Sequence, residues 1–191
     1  MKVVAFNGSP RVNGNTAALI DIVLESPEAE GIDTELFQLG GKEIRGCRTC
    51  YGCVENRDRR CSVTDDVLNE CVGLMEESDG VIIGSPTYFS NVTAEVKALI
   101  DRAGLVAEAN GDMLRRKAGA AVVAVRRAGS IHVSDSINHF FLINQMIVPG
   151  SIYWNMGIHG GAGEVGSDEE GVATMKALGA NTAWLLKRIR G

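Results

Sequence analysis

The sequence predicts an α/β protein built on a doubly wound parallel sheet, with helices on both faces. Three observations lead there. Short apolar runs alternate with amphipathic helical stretches along the chain. The run Ala118 to Val125, "AGAAVVAV", is apolar without a break, as suits a strand covered on both faces. Polar, glycine-bearing loops follow the first and third apolar runs, where a sheet of this kind holds a ligand.

The elements follow in order. Lys2 to Asn7 ("KVVAFN") is a short apolar strand ending in a turn. Thr16 to Leu24 places Ala17, Ala18, Leu19, Ile20, Val23 and Leu24 on a helix face that ends near Ser26-Pro27. Asp33 to Leu39 alternates polar and apolar residues, as a strand near a sheet edge does. A cysteine-rich loop insertion occupies about residues 40–64. "TDD", Thr64 to Asp66, then caps a helix with Val67, Leu68, Cys71, Leu74 and Met75 on one side. Gly80 to Gly84 is a buried strand, and Val92 to Ala103 is a helix. After the strand at Ala118 to Val125, Ser134 to Met146 is helical. Ile147-Val148 and Ser151 to Tyr153 flank a last strand broken by Pro149-Gly150. Asp168 to Arg190 closes the chain as a helix. The order implied for the five strands is 2-1-3-4-5.

The 191 residues are 45% hydrophobic, enough to bury a core as one domain over 1–191. No apolar run approaches the roughly 20 residues of a membrane helix. No basic-then-apolar leader starts at Met1. A soluble cytoplasmic protein is expected, with no membrane partner. The formal charge of −5 makes nucleic acid a poor partner.

The loop after the first strand reads "NGSPRVNGNT", Asn7 to Thr16, and opens a helix. Helix N-terminal amides, hydroxyl and amide side chains, and Arg11 together suit a phosphate monoester. The Gly-Lys-Ser/Thr ending of a Walker loop is missing, and so is the G-x-G-x-x-G fingerprint. The plainer reading makes Gly8 and Ser9-Pro10 a turn and Asn15 a helix cap. The loop after the third strand, "GSPTYFSNV" (Gly84 to Val92), carries a rigid turn and two aromatics that could otherwise be core. Both loops leave neighbouring strands at the topological switch point. One loop for a phosphate beside one for a flat ring describes flavin mononucleotide (FMN).

These two loops resemble the phosphate and isoalloxazine loops of the NAD(P)H-dependent FMN reductase family, whose fold is flavodoxin-like. "VRRAG" (Val125 to Gly129) and the stretch from "YWNMG" to "SDEEG" (Tyr153 to Gly171) are similar to its C-terminal half. The resemblance implies that Ser9, Arg11, Asn13, Asn15 and Thr16 hold the phosphate. It implies that Pro86, Thr87, Tyr88, Phe89 and Asn91 line the ring, with Arg127 a weaker candidate. The cysteine run followed by Asp65-Asp66 resembles the iron–sulfur flavoprotein branch, whose compact cysteine motif ligates a [4Fe–4S] cluster.

Four of the five cysteines, Cys47, Cys50, Cys53 and Cys61, fall in the pattern C-x2-C-x2-C-x7-C. In a reducing cytoplasm such clusters bind metal or do redox chemistry more often than they form disulfides. The first three can wrap three corners of a cubane and Cys61 the fourth. Zinc, or thiols without metal, stay open as alternatives. Cys71, alone on a helix face, reads as core. Arg45, Arg48, Arg57, Arg59 and Arg60 stand against Glu55 and Asp58 in this run, a local excess of positive charge. It suits a negatively charged cluster, an acidic electron-transfer partner such as ferredoxin, or the extra phosphate of NADPH; a merely solvated loop is the plain alternative.

The function expected is an FMN-dependent oxidoreductase that passes electrons from NAD(P)H through flavin to an acceptor. The flavin carries that chemistry, so no side chain is nominated as catalytic. His132, His139 and His159 show no ligand spacing and read as surface or structural. The alternative is a non-enzymatic FMN electron carrier. Tyr153, Trp154 and the Gly-rich stretch Met156 to Ser167 would leave apolar or flexible groups exposed on one small domain, so a homodimer or homotetramer is expected.

Overall fold

In the computed structural model, which describes residues 1–161 and 163–190, five strands form one sheet of order β2-β1-β3-β4-β5. These are β1 (Lys2–Asn7), β2 (Asp33–Gln38), β3 (Gly80–Pro86), β4 (Ala118–Val125) and β5 (Met156–Ile158), and every pairing is parallel. The helices are α1 (Asn15–Ala29), α2 (Gly52–Asn56), α3 (Leu68–Glu77), α4 (Ala94–Ala109), α5 (Ser130–Ile143) and α6 (Glu169–Arg190), with a 3₁₀ turn at Val165–Ser167.

Strand alternation divides the core into two layers. Val4 and Phe6 of β1 face one layer with α3, α4 and α5, whereas Val3 and Ala5 face the other with α1 and α6. Helix α1 puts Leu19, Ile20 and Val23 into the second layer without residual exposure. Each such side chain contributes about 1.5–3 kcal/mol on burial. Register sets Asn7 opposite Gly84, so the ends of β1 and β3 lie side by side at the switch point.

The sheet order expected from the sequence is the one observed, but several element boundaries differ. Helix α1 does not stop at Pro27; it carries Pro27 inside its last turns and ends at Ala29. Pro27 has no N–H for the carbonyl of Val23 four residues back. Helix α6 approaches at that carbonyl, where a Cβ on Gly179 would meet it at 2.3 Å. The last strand is Met156–Ile158, paired with Val123 to Val125, and not a strand flanking Pro149-Gly150. Ile147 makes only an isolated bridge to Ala118, while Ile152, Tyr153 and Trp154 are exposed. Helix α5 starts at Ser130, four residues earlier than expected, and the short α2 inside the cysteine segment was not signalled by any apolar period.

Candidate cofactor sites

The loop after β1 is held from several directions. The buried Asn7 side chain donates to Gln38 Oε1 at 2.7 Å and accepts from the Ser9 N–H at 3.0 Å. Gln38 in turn donates to the carbonyls of Ser9 and Gly40, each at 2.7 Å. The Gly8 N–H donates to the Gly84 carbonyl at 2.8 Å, and the Thr93 hydroxyl donates to the Gly8 carbonyl at 3.0 Å. A Cβ at Gly8 would lie 2.3 Å from Val96 Cγ2 and 2.7 Å from the Gly84 oxygen, so a glycine is required there. The backbone therefore arrives at α1 already shaped. Gly14 stands at the N-cap of α1 and gives no side-chain cap, leaving the helix's first-turn amides to a ligand or water.

A cavity of about 310 Å³ opens over that turn. Ser9, Arg11, Asn15 and Thr16 stand on its near wall. Pro86, Thr87 and Tyr88 form the far wall, and the Thr87 N–H ties that loop to the Ala124 carbonyl at 2.9 Å. Asn15 has a second task. Its amide donates to the Gly161 carbonyl at 2.7 Å and accepts from the Gly163 N–H at 2.9 Å, clamping the Gly-rich loop beside the cavity. Asn13 is exposed and stands off the wall. Phe89 is wholly exposed with φ 48°, next to Ser90 at φ 59°. Asn91 turns its side chain back to accept from the Val92 N–H at 2.9 Å. On the fourth loop Arg126, rather than Arg127, reaches the wall.

This cavity fits a phosphate-bearing ring compound. Two guanidinium groups and no carboxylate are among its lining side chains. Among the described residues, the Thr87 hydroxyl is sealed from water without a hydrogen-bond partner, and so are both ring nitrogens of His159. A buried polar group left so costs about 1–3 kcal/mol, which a ligand with hydroxyl, imide and phosphate groups can recover. His159 is buried on the cavity wall at the end of β5. Burial pushes its pKa below the usual imidazole value, against the opposing pull of Asp168 and Glu164, so the ring is neutral near pH 7. A lone histidine without spacing carried no signal of this in the sequence.

The cysteine segment is made differently. Residues 43–51 have no regular structure, and Arg45 through Tyr51 are exposed. Thr49, Tyr51, Arg57 and Arg59 all have left-handed backbone, with φ between 51° and 63°. Cys47 and Cys50 are exposed, Cys53 and Cys61 are buried, and all four line one small pocket together with Arg102. Among the described residues, no group of three or more His, Cys, Asp or Glu side chains is close enough to hold a metal ion. A four-iron cubane spreads its thiolates wider than a single ion does, and four thiols lining one pocket suit it in kind. The Ser62 hydroxyl, with the Gly52 N–H and Arg48 behind it, holds the Cys50 thiol below its usual range. Burial, reinforced by Cys61, pushes Cys53 up. Cys71 lies outside the pocket in the core, its pKa pushed up by burial to about 12. Arg45 pairs with Asp65 and Arg59 with Glu76, so part of the local positive charge is already matched.

The first 160 residues match the family model of the NADPH-dependent FMN reductases. The chain belongs to that family. An iron-sulfur flavoprotein of Methanocaldococcus jannaschii is 38% identical over 197 residues, with both chains covered in full. Another, from Methanosarcina thermophila, is 34% identical over 81% of this chain and 83% of its own. Among solved structures, RosB with a bound 8-demethyl-8-formylriboflavin-5'-phosphate superposes with a TM-score of 0.79 at 19% identity, over 100% of this chain and 80% of that one. A flavodoxin from the domain Archaea gives 0.64 at 16% identity, over 98% and 99%. At such identities these structures establish the flavodoxin-like fold alone. Within the FMN reductase family, the cavity over α1 stands where the fold places its ligand, at the ends of β1 and β3.

Proposed function

We propose that this flavin oxidoreductase binds FMN in the cavity over α1, takes electrons from NAD(P)H, and passes them through a [4Fe–4S] cluster on Cys47, Cys50, Cys53 and Cys61 to an acceptor such as ferredoxin. The carrying observation is the cavity itself: an uncapped helix start with Arg11 on one wall, facing Thr87 and Tyr88 on the other. In this reading residues 1–191 act as one FMN-binding unit with the cysteine segment as an insertion.

Bound FMN supplies hydride acceptance at its ring and single-electron release. The chain's own residues bind and orient. Ser9, Thr16, Arg11 and the first-turn amides of α1 take the phosphate. Asn15 holds the Gly-rich loop against the cavity, and the neutral His159 offers one donor and one acceptor to the bound molecule. Pro86 and Tyr88 flank the ring, Thr87 gives its unpartnered hydroxyl, and Arg126 brings positive charge from the fourth loop. Asn13, Phe89, Asn91 and Arg127 stand off the wall and are left out of this assignment. Among the described residues, no helix is long and apolar enough to cross a membrane.

A homodimer or homotetramer belongs to the same proposal. Phe89, Ile152, Tyr153 and Trp154 are large apolar side chains more than half exposed. Sedimentation at micromolar concentration tests this, and a mass near the 20.4 kDa of one chain would contradict it.

The function is tested on protein purified without oxygen. Mass analysis of the released flavin is expected to give FMN, and steady-state assays to show oxidation of NADH or NADPH. Recovery of FAD would overturn the cofactor assignment. Bound FMN with no pyridine-nucleotide oxidation would leave an electron carrier instead.

A further inference from the structure

Arg102 lies on α4, the helix that follows the Pro86-Thr87-Tyr88 loop, and its guanidinium is buried with the carboxylate of Asp66. An arginine is almost never fully buried unless paired, and here both terminal nitrogens of the guanidinium have two acceptors each. Nη1 donates to the Arg45 carbonyl at 3.0 Å and to Asp66. Nη2 donates to the Val63 carbonyl at 3.2 Å and to the sulfur of Cys61 at 3.4 Å. Asp66 is also bound from its own segment, accepting from the N–H groups of Arg45 and Leu68 at 3.0 and 3.2 Å. Burial alone would raise the Asp66 pKa, but the Arg102 guanidinium and those two N–H groups outweigh it and hold the carboxyl ionised.

A residue whose only task was to pin the loop would be complete with the two carbonyls and Asp66. The donor to sulfur is additional. It brings a permanent positive charge and an N–H to one thiol of the four that share the pocket, from a helix anchored beside the flavin cavity.

We propose that Arg102 is a positioning residue of the cysteine site: it fixes the Cys61 sulfur against α4 and, through its charged N–H, sets the electron-accepting strength of what that sulfur binds. The inference rests on the reading of the four cysteines as ligands of a [4Fe–4S] cluster. Hydrogen bonds to ligand sulfurs and nearby charge are among the levers that fix cluster potentials. A donor cation favours the more negative, reduced cluster, so it raises the reduction potential. Asp66 tempers that charge, which gives the two partners opposite signs.

The experiment uses the full chain with FMN, reconstituted anaerobically, as wild type and as Arg102→Met, Arg102→Lys and Asp66→Asn. Iron, sulfide and flavin content are measured first, followed by the reduction potential and the rate of iron release to a chelator. Arg102→Met is expected to lower the potential and to speed iron release by about tenfold, the loss of a charge-assisted hydrogen bond. Arg102→Lys, which keeps the charge, should fall between it and wild type. Asp66→Asn should move the potential up, because the Arg102 charge then faces the sulfur uncompensated. A merely structural role would shift both partners in the same direction, and that result overturns the inference. So does a loaded Arg102→Met with the wild-type potential. If Arg102→Met does not fold, the opposite shifts of Arg102→Lys and Asp66→Asn decide it. Wild type that takes up no iron overturns the cluster reading itself, and the inference falls with it.

Discussion

The cavity over α1 and the cysteine pocket lie in the same chain, yet they are held together by different physics. Around the cavity, the ends of β1 and β3 supply the shape, and Asn7, Gln38 and Thr93 lock backbone groups that the sheet has already aligned. Around the cysteines the backbone is exposed, irregular and repeatedly left-handed. Its order comes from a few tertiary anchors: Arg102 with Asp66, and Asn69, which exchanges hydrogen bonds with the backbone of Cys61 at 2.8 and 2.9 Å. A site on strand ends exists before its ligand arrives. A site on a loop held at few points gains most of its order from what it binds.

If this contrast is right, damage to one site should leave the other standing. Gly8→Val should have the largest effect. The Cβ contacts at 2.3 and 2.7 Å cannot be relieved without moving β3 or α4, and overpacking of this kind costs about 1–3 kcal/mol or more. Thermal unfolding and retained flavin should both fall sharply, whereas cysteine loading in whatever protein folds should persist. The double variant Ser9→Ala/Thr16→Ala comes next. It removes two hydroxyl donors, each worth about 1 kcal/mol or more to a charged phosphate. FMN affinity should weaken about tenfold or more with iron content unchanged, and flavin binding at wild-type strength would place the phosphate elsewhere.

A smaller effect concerns pH. The pKa of His159 is depressed in the folded state, so below its ordinary value of 6.5 the unfolded chain takes up a proton that the folded chain refuses. Stability should therefore fall as pH drops below that value, and His159→Gln should flatten this part of the curve. An unchanged slope in denaturation curves between pH 7 and pH 5 would show that the ring is not buried neutral. The smallest effect separates two neighbouring carboxylates. Asp65→Asn breaks an exposed pair with Arg45 and should leave unfolding and iron content unmoved, in contrast to Asp66→Asn next to it.

The two regions also differed in how readable they were in the sequence. Both loops at the switch point could be found because strand, glycine turn and helix start are contiguous, so Ser9, Thr16 and Thr87 sit where local pattern puts them. The cysteines announced themselves by spacing. Arg102 could not, because the groups it binds lie 36 to 57 residues away and an arginine in a helical pattern reads as surface. His159 was hidden for the same reason. Its role depends on β5, which the stretch Ser151 to Tyr153 obscured by imitating the flank of a last strand while its Ile152 and Tyr153 lie exposed. Pro27 misled because the helix carries it in its last turns, and α6 packs closely at Gly179 against the Val23 carbonyl four residues before it, a tertiary fact.

In the proposed function one chain carries two separately built cofactor sites. Iron, sulfide and FMN content of anaerobically reconstituted wild type, compared with Cys53→Ser, decides it. Wild type should carry about four iron and four sulfide per chain and one FMN. Cys53→Ser should lose the iron and sulfide while keeping its FMN. Wild type that stays near zero iron after reconstitution, or a Cys53→Ser variant that loses its flavin along with its iron, would contradict the account.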